Sequence, residues 1–201
     1  MFAIIDTETN GLFDFKKPAD AEGQPRLAEL AMILVNDKLE IEAEYAGYVR
    51  PDGWEMTPEA SAINGLTTDF LNEKGFPISE VLSEYQNAIL EGRAIVAFNA
   101  QHDCKTMRGE LRRAGLDDLF EQTKNVCVMR KANGFIPKAS GKKGWPSLAE
   151  AREFLKLGHH EAHKAQSDAH AALEIFRHLT AVGADLTPEV HYAANPPVKN
   201  A

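Results

Sequence analysis

"FAIIDTETNGL" (residues 2–12) is the stretch from which the rest of this 201-residue sequence is read. Four apolar residues run straight into Asp6-Thr7-Glu8, and Asn10-Gly11 follows. A short apolar run closed by turn residues predicts a strand buried on both faces. Alternate residues of a strand share a face, so Asp6 and Glu8 stand side by side at the strand's end. Two carboxylates that close repel, and one takes up a proton unless a cation compensates. Either a metal ion sits there or both groups lie in water beyond the strand, and this stretch alone does not choose.

The whole chain narrows the setting. Its length suits one domain with room for a real core. A content of 44% hydrophobic and 26% charged residues is ordinary for a soluble globular protein. No apolar run approaches 18 residues, so no membrane span is expected. Asp6 and Glu8 interrupt the N-terminus too early for a signal peptide. Cys104 and Cys127 are far apart and outside any CxxC pattern, which argues against a zinc ribbon or a disulfide scaffold and suggests a reducing cytoplasm. The net charge of -8 speaks against a polyanionic partner, yet the stretch 124–143 carries Lys124, Arg130, Lys131, Lys138, Lys142 and Lys143 with no acidic residue. A solvated loop and a phosphate-contacting loop both fit that stretch.

Beyond the first strand, residues 13–25 read as a polar loop with two prolines. Residues 26–37 and 39–50 read as strands joined at an Asp37-Lys38 turn, an antiparallel set with the first. Residues 57–75 suggest short helices around Gly65 with Thr67 or Thr68 as a cap, and 77–92 a longer helix ended by Gly92. "AIVAFNA" (94–100) predicts a buried strand, followed by a helix over 101–115. A strand at 125–129, a helix from Ser147 and a final helix over about 166–182 complete an α/β domain with a mixed sheet. Residues 183–201 read as a loose or surface-docked tail after a domain spanning 1–182.

Two later segments add carboxylates. Asp103 heads an apolar stripe of Met107, Leu111 and Ala114, where a charge is costly unless it caps the helix or binds something. Asp168 heads the stripe Ala169, Ala172, Leu173, Phe176 and Leu179 of the last helix. His163 lies five residues before Asp168, about 140° away if both were helical. The two can serve one site only if His163 sits on the loop leading into the helix. A histidine beside carboxylates suits a general base, since its ordinary pKa of about 6.5 leaves it largely neutral at mildly alkaline pH. His159-His160-Glu161-Ala162-His163 is one residue short of the HExxH that places two zinc ligands one turn apart.

Together these segments resemble the DEDDh 3′–5′ exonucleases of the DnaQ-like group. "DTETNGL" is similar to the first motif of that family, "VAFNAQHD" (96–103) to the second and "HKAQSDA" (163–169) to the third. "PRLAELAMILV" (25–35) and "ASAINGLTTDFL" (60–71) resemble the run between the first two, so the likeness spans roughly 2–180. Where many relatives carry a histidine, a phenylalanine and a histidine, this chain has Phe98, His102 and Asn64. "HHEAHKAQSDA" (159–169) is similar to exonuclease X, and the loop 13–25 is nearer the proofreading subunit of a replicative polymerase.

The resemblance implies a ribonuclease H-like fold: a mixed sheet with flanking helices. It implies two divalent metal ions, magnesium with manganese as a substitute, held by Asp6, Glu8, Asp103 and Asp168, with His163 deprotonating the attacking water. It implies substrate contacts at Thr9, Asn10, Gly11, Leu12, Ile63, Asn64 and Asn99. The expected substrate is the 3′ end of DNA, single-stranded or frayed, and a DNA polymerase is an expected partner. An RNA exonuclease like RNase T or oligoribonuclease, and a binding module that has lost catalysis, are the alternatives.

Overall fold

The computed structural model describes residues 1–119, 123–138, 144–158 and 161–189. The N-terminal apolar run forms β1 (Phe2–Thr9), and β2 (Leu27–Val35) and β3 (Ile41–Tyr48) pair onto it in an antiparallel meander. On the other side of β1, β4 (Ala94–Ala97) and β5 (Asn125–Cys127) add in parallel. The sheet order is β3-β2-β1-β4-β5, so β1 is the central strand. That position explains its unbroken apolar run: Ile4 packs into the core on one face, Ala3 and Ile5 into the core on the other.

Helices cover both faces. On the Ile4 side lie α5 (Val128–Lys131), α6 (Leu148–Leu155) and α7 (Ala165–Ala181), whose Ala165, Ala169, Ala172, Leu173 and Phe176 are buried. On the Ile5 side lie α3 (Ile78–Leu90) and α4 (Ala100–Arg113), through Val81, Leu82, Tyr85, Met107 and Leu111. Between β3 and α3, α1 (Pro58–Asn64) and α2 (Thr68–Lys74) form a small satellite core with Ala28, Met56 and Leu66. Thr57 and Thr67 cap them by accepting from Ala60 and Phe70, and Thr68 instead accepts from the Met56 N–H. Gly65 closes α1 in the left-handed region at φ 74°. Ser147 and Glu150 make a reciprocal capping box at the start of α6.

Some boundaries differ from the expectation for physical reasons. β3 starts at Ile41, later than expected, because Leu39 (φ 62°) still belongs to the turn closed on the Asn36 carbonyl. As the outer strand it keeps Glu42 and Glu44 exposed, where they meet Arg93 and His170 and discourage edge pairing. The stripe of α4 ends at Leu111, and Ala114 is exposed because it is already the C-cap. The segment 13–25 is an ordered structure hung on buried Gln24, whose amide donates to the carbonyls of Asp14 (2.8 Å) and Pro18 (2.9 Å) and accepts from the Asp14 N–H (3.0 Å). It docks on α4 at Gly109, where a Cβ would stand 2.6 Å from the Ala19 carbonyl oxygen. Beyond α7, Glu189 exchanges both backbone hydrogen bonds with Asn125 at the β5 edge. Lys142, Lys143, His159 and His160 lie outside the described residues. Among those described, no helix is long and apolar enough to cross a membrane.

The start of β2 is fastened to α4 by a buried acid. Glu110, 2% exposed, accepts from Arg26 Nε and Nη2 at 2.8 and 3.0 Å, from the Leu27 N–H at 3.2 Å and from Arg113 at 2.8 Å. Removing it leaves two guanidinium groups facing each other and a buried N–H without an acceptor. Both arginines are partly exposed and can reach water, so the cost falls at the low end of the range for breaking a buried pair. Glu110→Ala is expected to lower stability by about 3 kcal/mol in urea unfolding, with an unchanged slope on denaturant.

Candidate active site

The parallel pairing of β1 with β4 sets Ile5 level with Ala97, so the chain leaving β4 enters α4 beside the C-terminal end of β1. That brings Asp103, in the first turn of α4, to the level of Asp6 and Glu8. Thr7, between the two acids but facing the α4 side, donates its N–H (3.0 Å) and its hydroxyl (2.8 Å) to one Asp103 carboxylate oxygen. From the other face, α7 presents Asp168 one turn in from its N-terminus. Four carboxylates from three elements thus meet at one edge of the sheet.

His163 occupies the turn before α7, as its spacing from Asp168 requires. Its backbone is left-handed at φ 60°, its side chain is exposed, and its N–H donates to Asp168 Oδ2 at 3.0 Å. One ligand atom each from His163, Glu8 and Asp168 lie within 4.8 Å of one another. Asn64, 3% exposed, donates to Glu8 Oε2 and to the Thr9 carbonyl, both at 3.3 Å. Thr9 turns its hydroxyl onto the Gly11 carbonyl at 2.8 Å and shapes the loop that follows.

A cleft of about 680 Å³ contains these groups. Every residue singled out from the sequence lines it except Asn10. The side chain of Asn10 is committed elsewhere: it accepts from the Arg26 N–H at 2.7 Å and donates to the Glu55 carbonyl at 2.8 Å. Asn10 therefore fastens the β1 exit to β2 and lines an adjoining groove. Leu12 and Ile63, 89% and 57% exposed, stand at the cleft as apolar walls, and Phe98, His102 and Leu148 complete it. Phe98 and His102 fall inside the second motif at positions where many relatives carry other residues, and Leu148 lies outside all three motifs. Thr7 escapes because strand periodicity points it away from Asp6 and Glu8.

Electrostatics mark the cluster. Burial pushes Asp6 well above the usual carboxylate range, reinforced by Asp103, Asp168, Glu8 and Glu29. Burial also raises Glu8 to about 7, against the opposing hydrogen bond from Asn64 and with a further push from Asp168. Crowded hard oxygen donors that raise one another's pKa are the donor set a divalent cation compensates, so these residues fit such an ion.

A sequence model of the exonuclease family represented by RNase T matches residues 3–176. The chain belongs to this DnaQ-like 3′–5′ exonuclease family. It is 28% identical to DNA polymerase III subunit epsilon of Treponema pallidum (strain Nichols), over 98% of this chain and 85% of that protein. It is 25% identical to the 3′-5′ exonuclease DinG of Bacillus subtilis (strain 168), over 87% of this chain but 17% of that one. Among solved structures, E. coli exonuclease I in complex with a dT13 oligonucleotide superposes with a TM-score of 0.73 at 18% identity, covering 89% of this chain. The chain spans about 40% of that exonuclease I chain. The exonuclease fold here is the ribonuclease H-like one, and enzymes of this family use divalent metal ions.

A pH dependence of the metal-free protein follows from the raised carboxyl groups. A carboxyl whose folded pKa lies above its unfolded value binds more protons in the folded state, so its contribution to stability is lost as pH rises through the folded pKa. For Glu8 that window runs from about 4.5 to about 7. In thermal unfolding with chelator, stability is expected to fall across this window. Addition of a divalent cation is expected to restore it, by little at pH 5 and most at pH 8; a cation effect independent of pH would contradict the assignment.

Proposed function

We propose that this chain is a divalent-metal-dependent exonuclease that hydrolyses DNA from its 3′ end and releases mononucleotides. The observation that carries the reading is the convergence of Asp6, Glu8, Asp103 and Asp168 with His163 in one cleft. In this reading the four carboxylates hold two magnesium ions, for which manganese substitutes, and His163 takes the proton from the attacking water. Bound ions of this kind supply an acidified water and neutralise charge on a phosphodiester. Thr7 fixes Asp103 in one orientation through two hydrogen bonds, which holds the ligand shell without rotamer freedom. Asn64 does the same for Glu8.

Leu12 and Ile63 offer apolar surface to a terminal base, while Thr9, Gly11 and Asn99 face its sugar and phosphate in this reading. A base held between two apolar walls must first leave its stack, at a cost of a few kcal/mol for a paired end. Single-stranded and frayed ends are therefore the preferred substrates. The likeness to a polymerase III epsilon subunit supports DNA and, with it, a DNA polymerase as partner and a proofreading or repair role. The RNase T family model supports RNA as the second reading. Matched 5′-labelled DNA and RNA oligonucleotides digested with magnesium separate the two. In this reading the exonuclease unit spans 1–182 and residues 183–201 are a tail to it.

Alanine at Asp6, Glu8, Asp103 or Asp168 is expected to abolish cleavage while the protein stays folded by circular dichroism. His163→Ala is expected to lose roughly 10²–10⁴-fold in single-turnover rate with DNA affinity retained. Two carboxylate variants with near wild-type turnover at saturating magnesium would refute the metal assignment.

Mismatched 3′ ends are expected to be cut faster than matched duplex ends, and the difference should shrink in Leu12→Ala. Equal rates on both ends would remove Leu12 from the wedge role.

A further inference from the structure

The turn that carries His163 is strained, since a left-handed backbone is rare for a residue with a side chain. Such a conformation persists only when its surroundings over-determine it. Here three consecutive residues are each tied to a different element. The His163 N–H goes to Asp168 in α7. The Lys164 ammonium donates to the carbonyl oxygen of Asn64, the last residue of α1, at 2.9 Å. The Ala165 N–H lies close enough to the Glu29 carboxylate on β2 to favour its charged form.

Glu29 is 4% exposed and stands directly across from Glu8 in the β1–β2 register. Lys164, at the N-cap of α7, makes no side-chain cap of its own. Glu29 therefore sets a carboxyl group from another strand beside the helix start, where the helix dipole favours a negative charge. The Lys164 ammonium adds a favourable charge at the C-terminal end of α1 and lies within the field of Glu29. Room for it comes from Gly65: a Cβ there would stand 3.1 Å from Lys164 Nζ. Asn64 then carries the link onward to Glu8.

We propose that Lys164 is a positioning residue that holds His163 in its strained turn by bracing this turn against α1, the wall that bears Ile63 and Asn64. A catalytic imidazole on an exposed turn is thereby referenced to the same helix that a terminal nucleotide would touch. The kinetic part of this inference rests on the nuclease reading above; the structural part does not.

The test uses the full chain with Lys164→Met, Lys164→Arg and Glu29→Gln, each alone and combined with His163→Ala. Lys164→Met is expected to lower kcat roughly 10–100-fold with KM little changed, as for a misplaced catalytic group, and Lys164→Arg to restore most of it. In the His163→Ala background the same substitution is expected to cost nothing further; an equal loss there would overturn the proposal. Glu29→Gln leaves the Lys164–Asn64 contact in place and is expected to be milder than Lys164→Met. Hydrogen exchange supplies a readout without activity. The His163 and Ala165 amides should exchange at least roughly tenfold faster in Lys164→Met, with β1 and β4 unchanged. Unchanged exchange would overturn the brace. Wild-type protein inactive on every nucleic acid would overturn only the nuclease reading, and exchange would still decide the brace.

Discussion

Mutual repulsion of buried carboxylates is the constraint around which this structure is arranged. Two unit charges about 4 Å apart repel by about 4 kcal/mol at the effective dielectric of a protein surface region. Asp6 is pushed above its ordinary range first by burial and then by Asp103, Asp168, Glu8 and Glu29. The fold concentrates this cost at the end of its central strand, and the groups around it act to hold the acids in place. Thr7 grips Asp103, Asn64 grips Glu8, and the His163 N–H grips Asp168. Each grip lowers the freedom of one carboxylate without neutralising it, which leaves the charge for a cation.

The periphery serves the same end. The Arg26–Glu110–Arg113 cluster and the two hydrogen bonds of Asn10 fasten the start of β2 to α4 and to the β1 exit. Gln24 does so for the loop that rises beside Leu12. Because Glu29 lies only two residues beyond Leu27, whose N–H Glu110 accepts, the anchor on α4 also sets the strand that reaches α7. The cleft is thus enclosed by elements that are each tied to the next by polar contacts buried or half-buried.

Much of this was readable from local pattern. A run of apolar residues on both parities announces a central strand, and period two alone pairs Asp6 with Glu8. The angle between His163 and Asp168 demanded a loop, and His163 is on one. What could not be read depends on long-range pairing. Thr7 looks misplaced by periodicity until the β1–β4 register brings Asp103 to its side of the sheet. Glu110 finds Arg26 across 84 positions of sequence, and Lys164 finds Asn64 across 100. Asn10 stands within the first motif, yet both ends of its amide are used by backbone groups of distant segments, which the motif does not reveal. Ala114 follows the helical stripe in register but falls where the helix has already ended.

The charge balance of the chain has a consequence for the order of events under the nuclease reading. A protein of net charge -8 with an acidic cleft repels a phosphodiester. Of the basic residues in 124–143, Arg130 stacks on Trp145 at 4.9 Å and Lys131 faces Glu189 at 3.8 Å, so both also act within the protein. The Lys164 ammonium is bound to the Asn64 carbonyl and faces Glu29, which limits what it offers a phosphate. The cleft walls contribute apolar contact from Leu12, Ile63, Phe98 and Leu148, which favours a base, while Thr9, Gly11 and Asn99 offer the phosphate only uncharged contacts. Attraction for the phosphate at the reacting centre then has to come from cations held by the carboxylates. Cation binding would precede productive substrate binding, because the same four acids that attract the ion exclude the polyanion without it.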